Sequence, residues 1–497
     1  MAARMARVRR ILDQEFQKVS IIVAAAARVP AGAAPKEIAM TTLVRLALFG
    51  VLASPGASAA EKPKYPDVPM TRPEQMLAEH KTTFFHSSTF VELHGGRILH
   101  AANTSFTTSD DGGLTWSQPA KRVDTQGNPV GGGNTSLVKL SGKGVGLAAG
   151  KRTTAPGSDD PYHMVFWRSE DGGQTWQPPV GITPPGLPGV SYQDVLLRTS
   201  SGRILLPVYT CHITQPRGPN NERPPFHGKL VNNQWVSTSA HFSDPAFCTV
   251  YVAYSDDDGR TWKKNRDGYL YILHDWSTGF DRVDEPSVAE VAPGRLLMVM
   301  RASLGRLYQS WSDDNGETWT RPQPTSLAAT ETPAQIRRLP TGHLLIVWNQ
   351  ESEEEVQRGY NRTRISSAIS RNGGSVWEFF QNGARVEPGP IRPVRPEQYY
   401  FSPGKPAPDW DGKHLGDSAD HGRWSYPSVF VMKDRVLVAY TYSVYEQDPV
   451  KAQLVLSSGK PGGFNQKLKV LPLKWFYGGK EPGPNPFLKE AYEPAKP

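Results

Sequence analysis

One eight-residue pattern, Ser-x-Asp-x-Gly-x-Thr-Trp, occurs four times in this chain, at Ser109 to Trp116, Ser169 to Trp176, Ser255 to Trp262 and Ser312 to Trp319. A worn copy follows at Ser370-x-Asn372-x-Gly374-x-Val376-Trp377. The residue types suit a tight turn. The Asp side chain accepts bonds from turn amides, the Gly takes a conformation other residues resist, and the Trp packs between neighbouring sheets. Such self-similarity restricts the chain to repeat architectures.

A second unit precedes each box: a strand, a turn and an apolar strand. It reads FVELHGGRILHA, LVKLSGKGVGLA, VLLRTSSGRILLPV, VAEVAPGRLLMVM, IRRLPTGHLLIVW and, with no box after it, VFVMKDRVLVAY. Hairpin, third strand, box and fourth strand make a four-stranded antiparallel sheet. Six such sheets in radial array predict an all-β fold, a six-bladed β-propeller that leaves only short, protected edges. The 46 Gly, 44 Pro and 13 Trp agree with many short strands rather than long helices. A Ca²⁺ loop is the competing reading of Asp256-Asp257-Asp258-Gly259, but its fifth position would be Arg260, an unsuitable ligand, so no metal is expected.

These boxes are Asp-box (BNR) repeats, and from about Phe84 to Ser457 the chain resembles the sialidase (neuraminidase) superfamily. The boxes are specific for the fold and weak evidence for chemistry, because function lives in the site grafted on the fold.

Residues 60–497 read as one propeller domain, and residues 1–59 as an N-terminal extension that includes a signal. Met40 to Ala60 carries Arg45, an apolar run from Leu46 to Ala53 and an Ala57-Ser58-Ala59 cleavage pattern, which predicts a secreted or periplasmic protein without a stable membrane span. Either Met40 is the true start or residues 1–39 form a long charged leader. The net charge of +8 fits an anionic ligand and equally a solvated basic surface. No compact basic-aromatic module marks a nucleic-acid binder, and a monomer without cofactors is expected. Cys211 and Cys248, the only two cysteines, end and begin adjacent strands of blade three; a disulfide and a pair of buried thiols are both open.

Strand direction locates the site. Every box and every turn between strands one and two lies at one face, and the opposite face collects the residues that begin first strands and follow second strands. Those are Glu285 and Arg301 in blade four, Glu331 and Asn349 in blade five with Arg362 and Arg364 leading into its third strand, and Tyr426 in blade six. They also include His86 and Asn103 in blade one, and Asp194 and His212 in blade three. Long inserts reach the same rim from His212, Lys263 and Glu378, as loops shaping a binding cleft do. Arg301 closes the apolar run Leu296 to Met300, where an unpaired charge is costly, so it pairs with Glu285 or holds an anion.

The resemblance implies roles for these positions. Tyr426 corresponds to a nucleophilic tyrosine, Glu285 to the glutamate that polarises it, and Arg301 and Arg362, with Arg364 as its rival, to arginines that grip a substrate carboxylate. A phenol suits this chemistry, since a carboxylate nucleophile would meet the like charge on the anomeric carbon of a sialic acid. Two departures stand out. The family's opening arginine is replaced by Phe84-Phe85-His86, and no aspartate lies between Asn103 and the first box. His86 and Asp194 are therefore the candidates for the missing acid, each with a structural role as the alternative. Asn103 and Asn349 are candidates for substrate binding. The expected function is an exported, retaining hydrolase that releases sialic acid or a similar acidic sugar from glycans. The alternatives are a hydrolase or lyase of uronic-acid polysaccharides, or a non-catalytic glycan-binding propeller.

Overall fold

Six antiparallel sheets account for nearly all the regular structure. The computed structural model describes residues 76–81, 88–152, 162–183, 189–212, 229–231, 234–236, 247–275, 279–281, 283–302, 306–329, 332–350, 362, 365–382, 422–448, 453–456 and 465–479. The signal at Met40 to Ala60 lies outside them, as do Phe84 to His86, Glu331 and Arg364.

Blade one contains Thr89–Glu92, Ile98–Ala102, Ser105–Ser109 and Ala120–Lys121. Blade two contains Gly133–Lys139, Val145–Arg152, Tyr162–Ser169 and Val180–Gly181. Blade three contains Leu197–Arg198, Ile204–His212, Phe247–Ser255 and Lys263–Lys264. Blade four contains Val283–Ala292, Arg295–Ala302, Arg306–Ser312 and Gln323–Ala328. Blade five contains Gln335–Arg338, Leu344–Trp348, Ser366–Ser370 and Glu378–Asn382. Each blade's first strand or hairpin touches the first strand of the next, and the first strand of blade six touches that of blade one, so the ring closes. Among the described residues no helix is long and apolar enough to cross a membrane.

Blade six departs from the repeat. Gly422–Val431, Arg435–Asp448 and Asn465–Pro472 supply three strands, and the fourth, outermost strand is Ala78–Lys81 from the other end of the chain. The propeller therefore reaches beyond the 84–457 span of the sequence resemblance on both sides. Where a box would follow the third strand, blade six has a 3₁₀ turn, Leu473–Tyr477, closed by Gly478 in the left-handed region at φ 67°. Its Phe476 and Tyr477 are buried against blade five, where the Tyr477 hydroxyl meets Thr341 at 3.1 Å and His343 Nδ1 at 2.9 Å.

The boxes work as wedges between blades. In the first, Ser109 Oγ donates to Asp111 Oδ1 at 2.8 Å and accepts from the Gly113 amide at 2.8 Å, while the Thr115 hydroxyl donates to Asp111 Oδ2 at 2.6 Å. Burial opposes ionisation of Asp111, but the Thr115 and Ser109 bonds outweigh it and hold the carboxyl at about 2. Asp171 and Asp257 are held at about 2 in the same way. Each box glycine then abuts the preceding blade: Gly113 meets Leu437, Gly173 meets Leu99, Gly259 meets Phe166, Gly316 meets Leu205 and Gly374 meets Leu297. Trp176 stacks near Phe106 and Trp262 near Phe166, at centroid distances of 5.9 and 5.1 Å.

Gly259 shows the constraint most sharply. Its φ is +82°, and a Cβ there would lie 2.0 Å from the Phe166 ring. Gly259→Ala is expected to destabilise the protein by about 1–3 kcal/mol through overpacking, with left-handed strain in addition. An unchanged urea midpoint would show that the blade interface yields freely.

On the inner strands, hydroxyls join blade to blade. Thr89 Oγ1 accepts the Leu137 amide at 2.8 Å, Ser136 Oγ the Leu196 amide at 2.7 Å and Ser287 Oγ the Ile336 amide at 3.2 Å, and Ser428 Oγ donates to the Ser88 carbonyl at 2.6 Å.

Candidate active site

A strained backbone feature recurs at the open end of the first strands. The ladder shifts register between Gly133 and Ser136 in blade two, between Asp284 and Ser287 in blade four, and between Ser425 and Ser428 in blade six. The bulged residues Asn134, Glu285 and Tyr426 have φ values of 51°, 43° and 57°, and Asp194, leading into blade three, has 56°. Non-glycine residues at such angles cost about 1–3 kcal/mol each and persist only where their surroundings impose them. Glu285 and Tyr426 are each followed by Pro-Ser-Val, a shared local signature that matches the shared backbone.

Around the two bulges gather the charges. Asp284 and Arg301 face each other across the hairpin of blade four. Arg301 Nη1 donates to Glu285 Oε2 at 2.6 Å, and its Nε lies 3.7 Å from Asp284 Oδ1. The guanidinium is only 2% exposed, so this pair is screened little by solvent. Arg362, also buried and at φ 62°, sits with its guanidinium carbon 5.4 Å from the centre of the Tyr426 ring, a cation-π distance. Tyr192 flanks the same ring at 5.9 Å. Burial pushes the Tyr209 hydroxyl well up, and the charges of Glu285 and Asp284 push it further while Arg301 draws it back, which puts Tyr209 beside the same group. The cluster is thus two carboxylates, two guanidiniums and three phenols from blades three to six.

The backbone at Tyr426 is held from across the channel. The Tyr192 hydroxyl donates to the Pro427 carbonyl at 2.6 Å, and Gln193 Nε2 donates to the Tyr426 carbonyl at 3.2 Å. Gln335 of blade five in turn donates to the Gln193 carbonyl at 2.9 Å. Asn349 is fully buried and donates to the Trp424 carbonyl at 2.6 Å, while the Trp424 amide donates to the Arg362 carbonyl at 2.8 Å. Asn349 and Arg362 therefore fasten the strand two residues ahead of Tyr426.

Asp194 has its oxygens engaged elsewhere. Thr89 donates to Oδ1 at 2.7 Å, and Arg337 Nη2 lies 3.0 Å from Oδ2 and also bonds the Asp194 carbonyl. Arg337 further donates to the Val429 carbonyl at 3.0 Å and the Ile336 carbonyl at 2.9 Å. Burial raises the Asp194 carboxyl and the Arg337 charge opposes it. This group links blades one, three, five and six across the centre of the ring. Asn103 takes a tight, exposed turn between the second and third strands of blade one, where its carbonyl accepts the Gly132 amide at 3.1 Å. His86 and Arg364 lie outside the described residues.

Sequence reasoning missed Tyr192, Gln193, Tyr209, Gln335 and Arg337. Arg337 and Arg338 both lie on the inner strand Gln335–Arg338, but Arg338 is exposed and Arg337 is half-buried, a difference their adjacent positions in the sequence do not signal. At the rim of blade three, Cys248 is disulfide-bonded, and the chain's one other cysteine, Cys211, is its direct cross-strand neighbour.

The box face lies at the other end. Arg97 of the first hairpin turn pairs with box residue Asp110 at 2.6 Å, and Arg203 pairs with Asp256 at 2.7 Å and with Glu317 of the next blade at 3.0 Å. The boxes brace the ring and take no part in the cluster.

Residues 154–438 match the BNR repeat-like domain family. The chain belongs to this family, as a BNR-repeat propeller of the sialidase superfamily. It is 24% identical over 298 residues to a sialidase of Bacteroides fragilis, an alignment that covers 57% of this chain and 46% of that protein. The chain thus aligns with about half the length of that relative. Among solved structures it is similar to a Dyadobacter fermentans protein of unknown function, with a TM-score of 0.48 and 17% identity over 80% of this chain and 98% of that one. It is also similar to Trypanosoma rangeli sialidase, with a TM-score of 0.42 and 14% identity over 81% of this chain and 57% of that one. For the NanB sialidase of Streptococcus pneumoniae the TM-score is 0.45, with 12% identity over 82% and 72% of the two chains.

Proposed function

We propose that this protein is an exported, sialidase-like retaining glycoside hydrolase that releases an acidic sugar from glycans. The observation that carries the reading is the convergence of Tyr426, Glu285, Arg301 and Arg362 at one end of the ring, on strained backbone held by bonds from three blades. In this reading the Tyr426 phenol attacks the anomeric carbon while the Glu285 carboxylate takes its proton. The glycosidic C–O bond breaks and its oxygen leaves with a proton from an acid, and water then attacks the same carbon, releasing the sugar and returning the phenol. Arg362 lies beside the phenol, its guanidinium carbon 5.4 Å from the ring centre. Arg301 orients Glu285 through their hydrogen bond, and with Arg362 it presents positive charge to a substrate carboxylate. Asp194, with both oxygens engaged, suits closure of the channel better than proton donation. The proton donor is therefore sought at His86 or in the bound sugar itself.

One observation favours a second reading, a propeller that binds acidic glycans without turning them over. Arg301 is already neutralised by Glu285 and Asp284. Release of a fluorophore from a synthetic α-sialoside, run beside a panel of uronic-acid glycans, separates the possibilities. Sialoside turnover is expected. Turnover of a uronide alone would replace the sugar and keep the mechanism, and binding without turnover of either would sink the enzyme reading.

A further inference from the structure

The bulge of blade six takes two carbonyls out of the ladder. The pairing of Gly422–Val431 with Arg435–Asp448 runs to Ser425 opposite Thr441 and resumes at Ser428 opposite Ala439, so Tyr426 and Pro427 have no ladder partner across the hairpin. Both carbonyls are bonded all the same, by consecutive side chains of the segment leading into blade three. The Tyr192 hydroxyl donates to the Pro427 carbonyl at 2.6 Å, and Gln193 Nε2 donates to the Tyr426 carbonyl at 3.2 Å. The two donors are buried, and Gln193 is itself fixed by the bond from Gln335 to its carbonyl. Tyr426 needs such support. A residue before proline is driven toward extended backbone, yet Tyr426 stands at φ 57°, a conformation that persists only where its surroundings impose it. A bulge of this kind re-aims its side chain, and here the ring is set against Arg362 and Tyr192. Burial first, and then the Glu285 charge, push the Tyr192 phenol well up, so it stays protonated and remains a donor.

We propose that Tyr192 and Gln193 are positioning residues that hold Tyr426 in its left-handed backbone conformation and thereby aim its phenol at the reacting carbon. Neither side chain need touch the sugar; both act through the two carbonyls. The kinetic consequence rests on the reading of Tyr426 as the nucleophile, whereas the conformational one does not. Without the two donors, the Tyr426 and Pro427 carbonyls would be left unbonded, and the preference of a residue before proline would draw Tyr426 back to extended backbone and turn its ring away from Arg362.

The test uses the full-length protein carrying Tyr192→Phe together with Gln193→Leu, read by a crystal structure and by turnover of the α-sialoside. Tyr192→Phe alone deletes one oxygen and keeps the ring, so it carries the same two readouts should the double variant fail to fold. Tyr426 should return to negative φ with its ring displaced from Arg362. Turnover should then fall about 10²-fold in kcat with KM within about threefold, the signature of a misplaced reacting group rather than of lost binding. Tyr426 still at positive φ in the variant would overturn the proposal. So would a relaxed Tyr426 with undiminished kcat, or a lowered thermal midpoint as the sole effect, since a purely structural role predicts that alone. If the wild-type protein turns over none of the sugars, the hydrolase reading fails by itself, and the φ of Tyr426 in the variant still decides whether these two side chains hold it.

Discussion

Tyr426→Phe should lower turnover of the sialoside by on the order of 10³-fold or more while leaving its binding within about threefold. The substitution deletes one oxygen. Phe keeps the aromatic face that Arg362 and Tyr192 contact, and the strand stays fixed by the Tyr192 and Gln193 bonds to the Pro427 and Tyr426 carbonyls. A nucleophile contributes to the barrier and little to ground-state binding, so the loss should appear in kcat and not in KM. A glycan-binding propeller would instead show no turnover before or after the change. Undiminished turnover in Tyr426→Phe would remove the phenol from the mechanism and send the search to Glu285 as a direct base.

Arg337→Met should destabilise the fold by about 3–5 kcal/mol, because it leaves the Asp194 carboxylate buried without its cation. The same change removes donors from the Val429, Ile336 and Asp194 carbonyls, so two inner strands and the segment leading into blade three lose a shared anchor. The pair differs from the surface pairs at the box face, which are expected to contribute at most about 1 kcal/mol each. The double substitution Arg337→Met with Asp194→Leu should recover much of the loss, since apolar side chains can replace a buried ion pair without leaving a lone charge. Urea unfolding midpoints of the two variants decide the matter. If Arg337→Met alone falls within about 1 kcal/mol of wild type, solvent reaches Asp194 and the channel is not closed there.

Much of the ring was legible because the repeat carries its own geometry. The four full boxes and the worn one at Ser370 to Trp377 mark five turns between third and fourth strands, and all five occur there. The proximity of Glu285 and Arg301 followed from hairpin register alone. Blade six was less legible for physical reasons. Its outer strand, Ala-Glu-His-Lys at Ala78–Lys81, has no apolar alternation to announce it, since it only caps a sheet already buried on its inner side. The 3₁₀ turn at Leu473–Tyr477 replaces a box with aromatic packing and shares none of its letters. The bulges at Asn134, Glu285 and Tyr426 are register shifts, which depend on the partner strand as much as on the residues themselves. The bond from Thr89 to Asp194 and the pair from Arg337 to Asp194 span 105 and 143 residues, beyond the reach of any local pattern.

The N-terminal position of Ala78–Lys81 has a consequence for synthesis. A ribosome makes that strand first, yet its pairing partner, Asn465–Pro472, is almost the last part of the ring to emerge. For most of translation the early strand has nothing to bind, and the later blades must accumulate as an open arc with an unsealed seam. The seam falls within blade six, between its third and outermost strands, and blade six also carries Tyr426. A nascent chain would therefore assemble its scaffold well before the catalytic geometry proposed for it, and proteolysis or stalling anywhere before residue 465 would leave an arc without a working centre.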